Sequence, residues 1–142
     1  MKVMIVCSTS FYGYIDKVKK DLENNNHEVI LPNCYDAPVS NDDNKLMSEE
    51  EYLNFFRNMF YESRDKVSLT DAILVLNYDK EKNGNVLKNY VGASTFLEMY
   101  EAFMQDKKIY MMNDIPDNML YDEIKGFNPI ILNGNCSLVK ED

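Results

Sequence analysis

Apolar residues fall along this chain in short blocks separated by longer amphipathic stretches. Five apolar blocks read as strands: Val3–Cys7, His27–Leu31, Asp71–Asn77, Lys108–Met112 and Pro129–Leu132. The block Ala72-Ile73-Leu74-Val75-Leu76 has no polar position at all, the pattern of a strand covered on both faces. Between the blocks the period changes. In Phe11–Asn25 the apolar residues Ile15, Val18 and Leu22 recur at helical spacing among Lys and Asp, and Asn24-Asn25-Asn26 ends the helix. Further helices are predicted over Ser48–Ser68, Gly92–Gln105 and Asp117–Lys125. Asn33–Lys45 is a polar, turn-rich loop after Pro32, Tyr78–Asn89 is a long polar loop containing Gly84, and the tail from Asn133 is polar.

Strands alternating with helices predict an α/β fold: a five-stranded parallel sheet between two helical layers, a Rossmann-like three-layer sandwich. Right-handed crossovers favour the flavodoxin-like strand order 2-1-3-4-5. The 142 residues contain no repeat or linker and suit one domain over 1–142. In that order the switch point lies between the first and third strands. A ligand crevice is therefore expected from Ser8–Tyr14, from Asn77–Tyr90 and from the helix carrying Glu98.

Charge narrows the partners. A net charge of −9 argues against a nucleic-acid binder, which needs clustered Lys and Arg. It leaves room for a small anion held by backbone N–H groups. Cys7, Cys34 and Cys136 are an odd number without CxxC spacing and read as reduced thiols, with Cys7 in the core. With one histidine, His27, expected at the surface, and scattered cysteines, no metal or other cofactor is predicted. No apolar run approaches the roughly 20 residues of a membrane span, and the opening segment is too short for a secretory signal. The expectation is a cytoplasmic protein without membrane contact.

The segment from Asn89 to Tyr110 holds the candidate chemistry. It places Glu98 near a predicted helix start, after a buried strand and a polar loop. Thr95-Phe96-Leu97-Glu98 fits a capping box, as Ser48-Glu49-Glu50-Glu51 does, and capping alone accounts for a glutamate there. The functional alternative is a nucleophilic carboxylate, its ionised form favoured by the helix N-terminus. Long loops in compact domains are more often functional than idle. The crevice is also lined with polar and aromatic residues suited to a ring and a sugar: Ser8, Phe11, Tyr12, Asn77, Tyr90 and Ser94.

The runs Thr70–Asn77, Asn89–Met99 and Lys107–Tyr110, with the opening strand, its Ser-Phe-Tyr turn and His27–Pro32, resemble the nucleoside 2-deoxyribosyltransferase family and its relatives that hydrolyse nucleoside monophosphates. The resemblance spans about residues 2 to 133. It implies that Glu98 attacks C1′ of the sugar and expels the base, after which a second base or water takes the sugar. It also implies an acid at the base end, eight residues before the Asp that opens the third strand. That position is Ser63 here, so Glu62, Asp65 or Asp79 is the candidate substitute. Where the transferases carry an Asp, and the hydrolases a Ser that contacts phosphate, this chain has Gly92, with Ser94 close by and Lys88 able to add charge. Phe11 and Tyr12 would clamp the base and Tyr90 line the sugar pocket. Family members are oligomers, so a homodimer or larger is implied, with Met119, Tyr121 and Phe127 supplying apolar surface. The competing reading is a non-catalytic nucleotide-binding module on the same fold. A third, the phosphoribohydrolases of modified adenine monophosphates, expects more Gly and an Arg near the glutamate, and only Arg57 and Arg64 are present.

Overall fold

A computed structural model describes residues 1–36 and 46–142 of the chain. Most of the predicted loop Asn33–Lys45 therefore lies outside the described residues. The elements run β1 (Lys2–Val6), a 3-10 turn (Thr9–Tyr14), α1 (Ile15–Asn24), β2 (Glu28–Ile30), α2 (Glu49–Ser68) and β3 (Ala72–Val75). They continue with β4 (Lys80–Lys82), β5 (Asn85–Leu87), α3 (Ala93–Met104), β6 (Lys108–Met111), α4 (Tyr121–Gly126) and β7 (Ile130–Ile131), then a short 3-10 turn (Cys136–Leu138).

Five strands form one parallel sheet in the order β2-β1-β3-β6-β7, which is the predicted 2-1-3-4-5 counted within that sheet. Successive residues of each strand point to opposite faces. Val3, Ile5, Leu74 and Tyr110 meet Phe11, Ile15, Val18 and Leu22 on one side, with Cys136 and Val139 from the tail. Met4, Val6, Ile73, Val75, Ile109 and Met111 meet Val67, Val91, Met99, Ala102 and Ile124 on the other. Every residue of β3 is buried because helices cover both faces. Burial of each large aliphatic side chain stabilises by about 1.5–3 kcal/mol, so these two half-cores dominate the stability.

Three elements differ from the sequence reading; one is the last helix, expected from Asp117, which begins at Tyr121. The helix predicted from Phe11 begins at Ile15; Ser8 opens a 3-10 turn by accepting from the Ser10 N–H. The loop Tyr78–Asn89 contains an antiparallel hairpin, Lys80↔Leu87 to Lys82↔Asn85. Its turn is Asn83-Gly84, both at positive φ (52° and 78°), the pairing that two-residue hairpins favour. That Asn-Gly signal was readable, but the flanking Lys and Glu hide the strand pattern. The hairpin root is fixed by Tyr78 stacked on Tyr14 at 4.0 Å and packed edge-on to Phe11. His27 is half-buried rather than at the surface, its Nε2 2.9 Å from the Val139 carbonyl. No helix among the described residues is long and apolar enough to cross a membrane.

At the carboxyl edge of the sheet Asn77 ties two strand ends together. It is fully buried; its Nδ2 donates to the Asn113 and Asp114 carbonyls, and its Oδ1 accepts from the Asn113 N–H. The side-chain amide of Asn113 returns a bond to the Asn77 carbonyl. Asn77 therefore serves the scaffold and not the cavity, contrary to its assignment from sequence. Leaving those buried groups unpaired is costly, so Asn77→Ala should lower stability by roughly 3 kcal/mol in urea unfolding. A loss below about 1 kcal/mol would show that water replaces the clamp.

Candidate active site

The parallel strands β1 and β3 send their following segments to opposite sides, which opens a crevice at their carboxyl ends. A cavity of about 570 Å³ fills it. Its walls are Cys7, Ser8, Thr9 and Tyr12 after β1, Pro32 and Asn33 after β2, and Tyr90 before α3. Met59, Phe60, Ser63 and Arg64 of α2 face Gly92 to Thr95, Leu97, Glu98, Tyr100 and Glu101 of α3 across it. Of the residues singled out from sequence, Ser8, Tyr12, Tyr90, Gly92, Ser94 and Glu98 meet in this cavity.

Others do not. Phe11 is 2% exposed and belongs to the core, where its ring packs edge-on to Tyr90 and Tyr78. A side chain buried in that cluster supports the wall behind Tyr90 and cannot clamp a base. Asp65 projects into solvent and pairs with Arg64 at 3.1 Å, because its place on α2 turns it away from α3. Asp79 accepts from the Asn89 N–H and pins the two ends of the hairpin loop. Glu62 is exposed and pairs with Lys66 one turn along α2.

Glu98 is not a cap. The cap of α3 is Gly92, without a side-chain hydrogen bond, so Glu98 is the sixth helical residue, nearly two turns in. The dipole of a helix acts over its first turn, so it does not govern this carboxylate. Burial does. Glu98 lines the cavity, largely enclosed by protein but not sealed from solvent. Burial pushes its carboxyl up from 4.5 to about 7, against the opposing pull of the Ser63 hydrogen bond and the Lys66 charge. Ser63 Oγ donates to Glu98 Oε2 at 3.1 Å. Asn33 Nδ2 donates to Ser63 Oγ at 2.8 Å and to the Met59 carbonyl at 3.2 Å. Tyr12 Oη donates to the Asn33 carbonyl at 3.0 Å.

Cys7 and Tyr12 lie beside Glu98 as neutral groups. Burial first, then the Glu98 charge, pushes the Cys7 thiol to about 12. Tyr12 is likewise held at about 12, by burial first and then by Cys7, Cys34 and Glu98. Ser63 and Asn33 are the site residues that the sequence does not single out as such: Ser63, where the resemblance implies an acid, touches the candidate nucleophile. Asn33 follows the second strand in a turn whose contacts to α2 only the folded chain brings about. Among the described residues no cluster of three or more His, Cys, Asp or Glu is placed to hold a metal ion.

Together the sheet order and the cavity define a Rossmann-like α/β protein with a carboxylate at its switch point. No protein-family model matches the chain, and no curated protein matches it either. Solved structures do. A 2-deoxyribosyltransferase from the psychrotolerant bacterium Bacillus psychrosaccharolyticus superposes with a TM-score of 0.53 at 13% identity, over 89% of this chain and 81% of that one. A CMP N-glycosidase from Clostridium botulinum gives 0.51 at 18% identity, over 94% and 89%. Both are enzymes acting at nucleosides or nucleotides, and both share the fold over most of its length.

The raised carboxyl of Glu98 has a stability consequence. Its folded value of about 7 exceeds the 4.5 of a free side chain, so the folded state holds the proton more tightly. The stability contributed by the protonated form is complete below about pH 4.5, declines as pH rises and is lost above about 7. Glu98→Gln is neutral throughout. It should exceed wild type by on the order of 2 kcal/mol at pH 8 and match it at pH 4 in chemical denaturation. Equal stabilities at both pH values would mean that Glu98 is solvated like a surface carboxylate.

Proposed function

We propose that this chain is a member of the nucleoside 2-deoxyribosyltransferase-like enzymes and breaks or exchanges the N-glycosidic bond of a (deoxy)nucleoside or its 5′-monophosphate through Glu98. The observation that carries this reading is a carboxylate, Glu98, held on one oxygen by Ser63 in the wall of a cavity large enough for a nucleotide. Chemically, a Glu98 oxygen forms a bond to C1′ as the C1′–N bond breaks. The base leaves with the electron pair of that bond and takes its proton from water. Water, or the ring nitrogen of a second base, then attacks C1′ and releases the glutamate. A carboxylate that titrates near neutrality is ionised in a substantial fraction at pH 7 and above, as a nucleophile must be.

The remaining walls suit the rest of a nucleotide. Without a side-chain cap, the first turn of α3 keeps the Ala93 and Ser94 N–H groups for a sugar hydroxyl or a 5′-phosphate. Tyr12 and Tyr90 offer faces and hydroxyls to the ring and the sugar. Asn33 is buried, and its side-chain amide braces Ser63. Exposed Leu97, Tyr100 and Phe103 border a shallow apolar depression with Phe127, a surface suited to at least a dimer. A second reading, a nucleotide-binding module without turnover, is favoured by one observation: Asp65 and Asp79 are both turned to other partners.

Incubation with a panel of nucleosides and 5′-monophosphates, with and without a second free base, should release or exchange base on chromatography. Glu98→Ala should lower that rate by at least ~10³-fold with the fold unchanged by circular dichroism. Turnover persisting in Glu98→Ala would sink the nucleophile assignment. Tight nucleotide binding with no base released by wild type would favour the binding module.

A further inference from the structure

The hydrogen-bond chain behind Glu98 has a direction that follows from donor counts. An amide nitrogen only donates, and both Asn33 Nδ2 hydrogens are spent, on the Met59 carbonyl and on Ser63 Oγ. The Met59 carbonyl fixes the amide orientation, since Oδ1 facing another carbonyl oxygen would repel it. Ser63 Oγ therefore accepts from Asn33, and its one hydrogen is left for Glu98 Oε2. Asn33 is itself held through its main-chain carbonyl by Tyr12. Three separate segments thus converge on one carboxylate oxygen. Among the described residues nothing bonds to Oε1.

We propose that Ser63 is a positioning residue for Glu98: braced by Asn33, its hydroxyl fixes the Oε2 side of the carboxylate and leaves Oε1 to meet the sugar carbon. This rests on the reading of Glu98 as the nucleophile. It also gives the serine a positive role in place of a missing acid. A carboxylate at position 63 would set a second negative charge about a hydrogen bond away and hold Glu98 protonated to higher pH. A hydroxyl orients the same oxygen and stabilises its charge. The other groups facing Glu98 do not compete for this task. Cys7 and Tyr12 are neutral, Glu101 on the next turn of α3 accepts from the Gln105 side chain, and Arg64 is turned to Asp65. Lys66 contributes charge from the next turn of α2, but its ammonium donates to the Leu31 carbonyl.

The test reads Glu98 directly and does not require turnover. Titration of the ¹³C-labelled glutamate carboxyls by NMR, with the Glu98 signal assigned by its loss in Glu98→Gln, gives the midpoint in each variant. Ser63→Ala should raise it by about one pH unit, the loss of one hydrogen bond to a charged group. Ser63→Thr, which keeps the hydroxyl, should restore the wild-type midpoint, and Asn33→Ala should raise it by less than Ser63→Ala. With a substrate in hand, Ser63→Ala should lower kcat by about tenfold while KM changes by less than about twofold. A midpoint unchanged in a folded Ser63→Ala protein would overturn the proposal. If that variant does not fold, Ser63→Cys, with a weaker donor of similar size, is read the same way. A midpoint that moves as stated while wild type releases no base from any nucleoside or nucleotide would uphold the positioning role and overturn the glycosidic reading instead.

Discussion

An ionisable carboxylate enclosed by protein is unfavourable unless something holds it, and Glu98 is held by one hydroxyl and one nearby ammonium. Much of the surrounding structure can be understood as what makes this arrangement tolerable. The hydroxyl comes from α2 and is oriented by the side chain of Asn33 after β2, whose main-chain carbonyl is in turn tethered by a tyrosine after β1. None of these residues is near Glu98 in sequence. They are brought together because a parallel sheet sends every strand's following segment to the same edge, and because the crossovers reverse direction at β1 and β3.

The two half-cores set the precision of that meeting. Met99 and Ala102, both 0% exposed, seat α3 on the sheet one residue and one turn beyond Glu98, while Val67 seats α2 one turn beyond Ser63. With both helices fixed on the same face, Ser68 Oγ reaches Gln105 Oε1 at 2.9 Å and the pair runs in parallel past the cavity. The aromatic cluster of Phe11, Tyr14, Tyr78 and Tyr90 performs the same task on the other wall. It fixes the root of the hairpin and sets the angle of Tyr90, over whose ring Lys80 lies at 4.6 Å.

Low sequence identity with structures of the same fold fits this division of labour. The sheet and its flanking helices need only apolar residues in the right period, which many sequences supply. The cavity needs a few particular groups. At 13% and 18% identity the fold persists over most of the chain.

The five strands of the parallel sheet, their order and the helices between them, to within about a turn, were legible in the residues, because each rests on local period and on crossover handedness. So was the prominence of Glu98 and of Ser8, Tyr12, Tyr90, Gly92 and Ser94, since the crevice of such a sheet lies at a fixed place in the order. What the sequence could not express is orientation around a helix axis. Asp65 and Ser63 are two residues apart, roughly 200° around the helix, and only packing of α2 decides which one faces Glu98. The same holds for Phe11 and Asn77, whose polar or aromatic character suits a cavity but whose side chains are drawn into the core and the strand-end clamp. It holds for Glu98 too: a cap and a cavity-lining carboxylate share one local pattern, and the helix start at Gly92 separates them. Local periodicity is written in the chain, whereas the facing of one side chain toward another is a property of elements already packed.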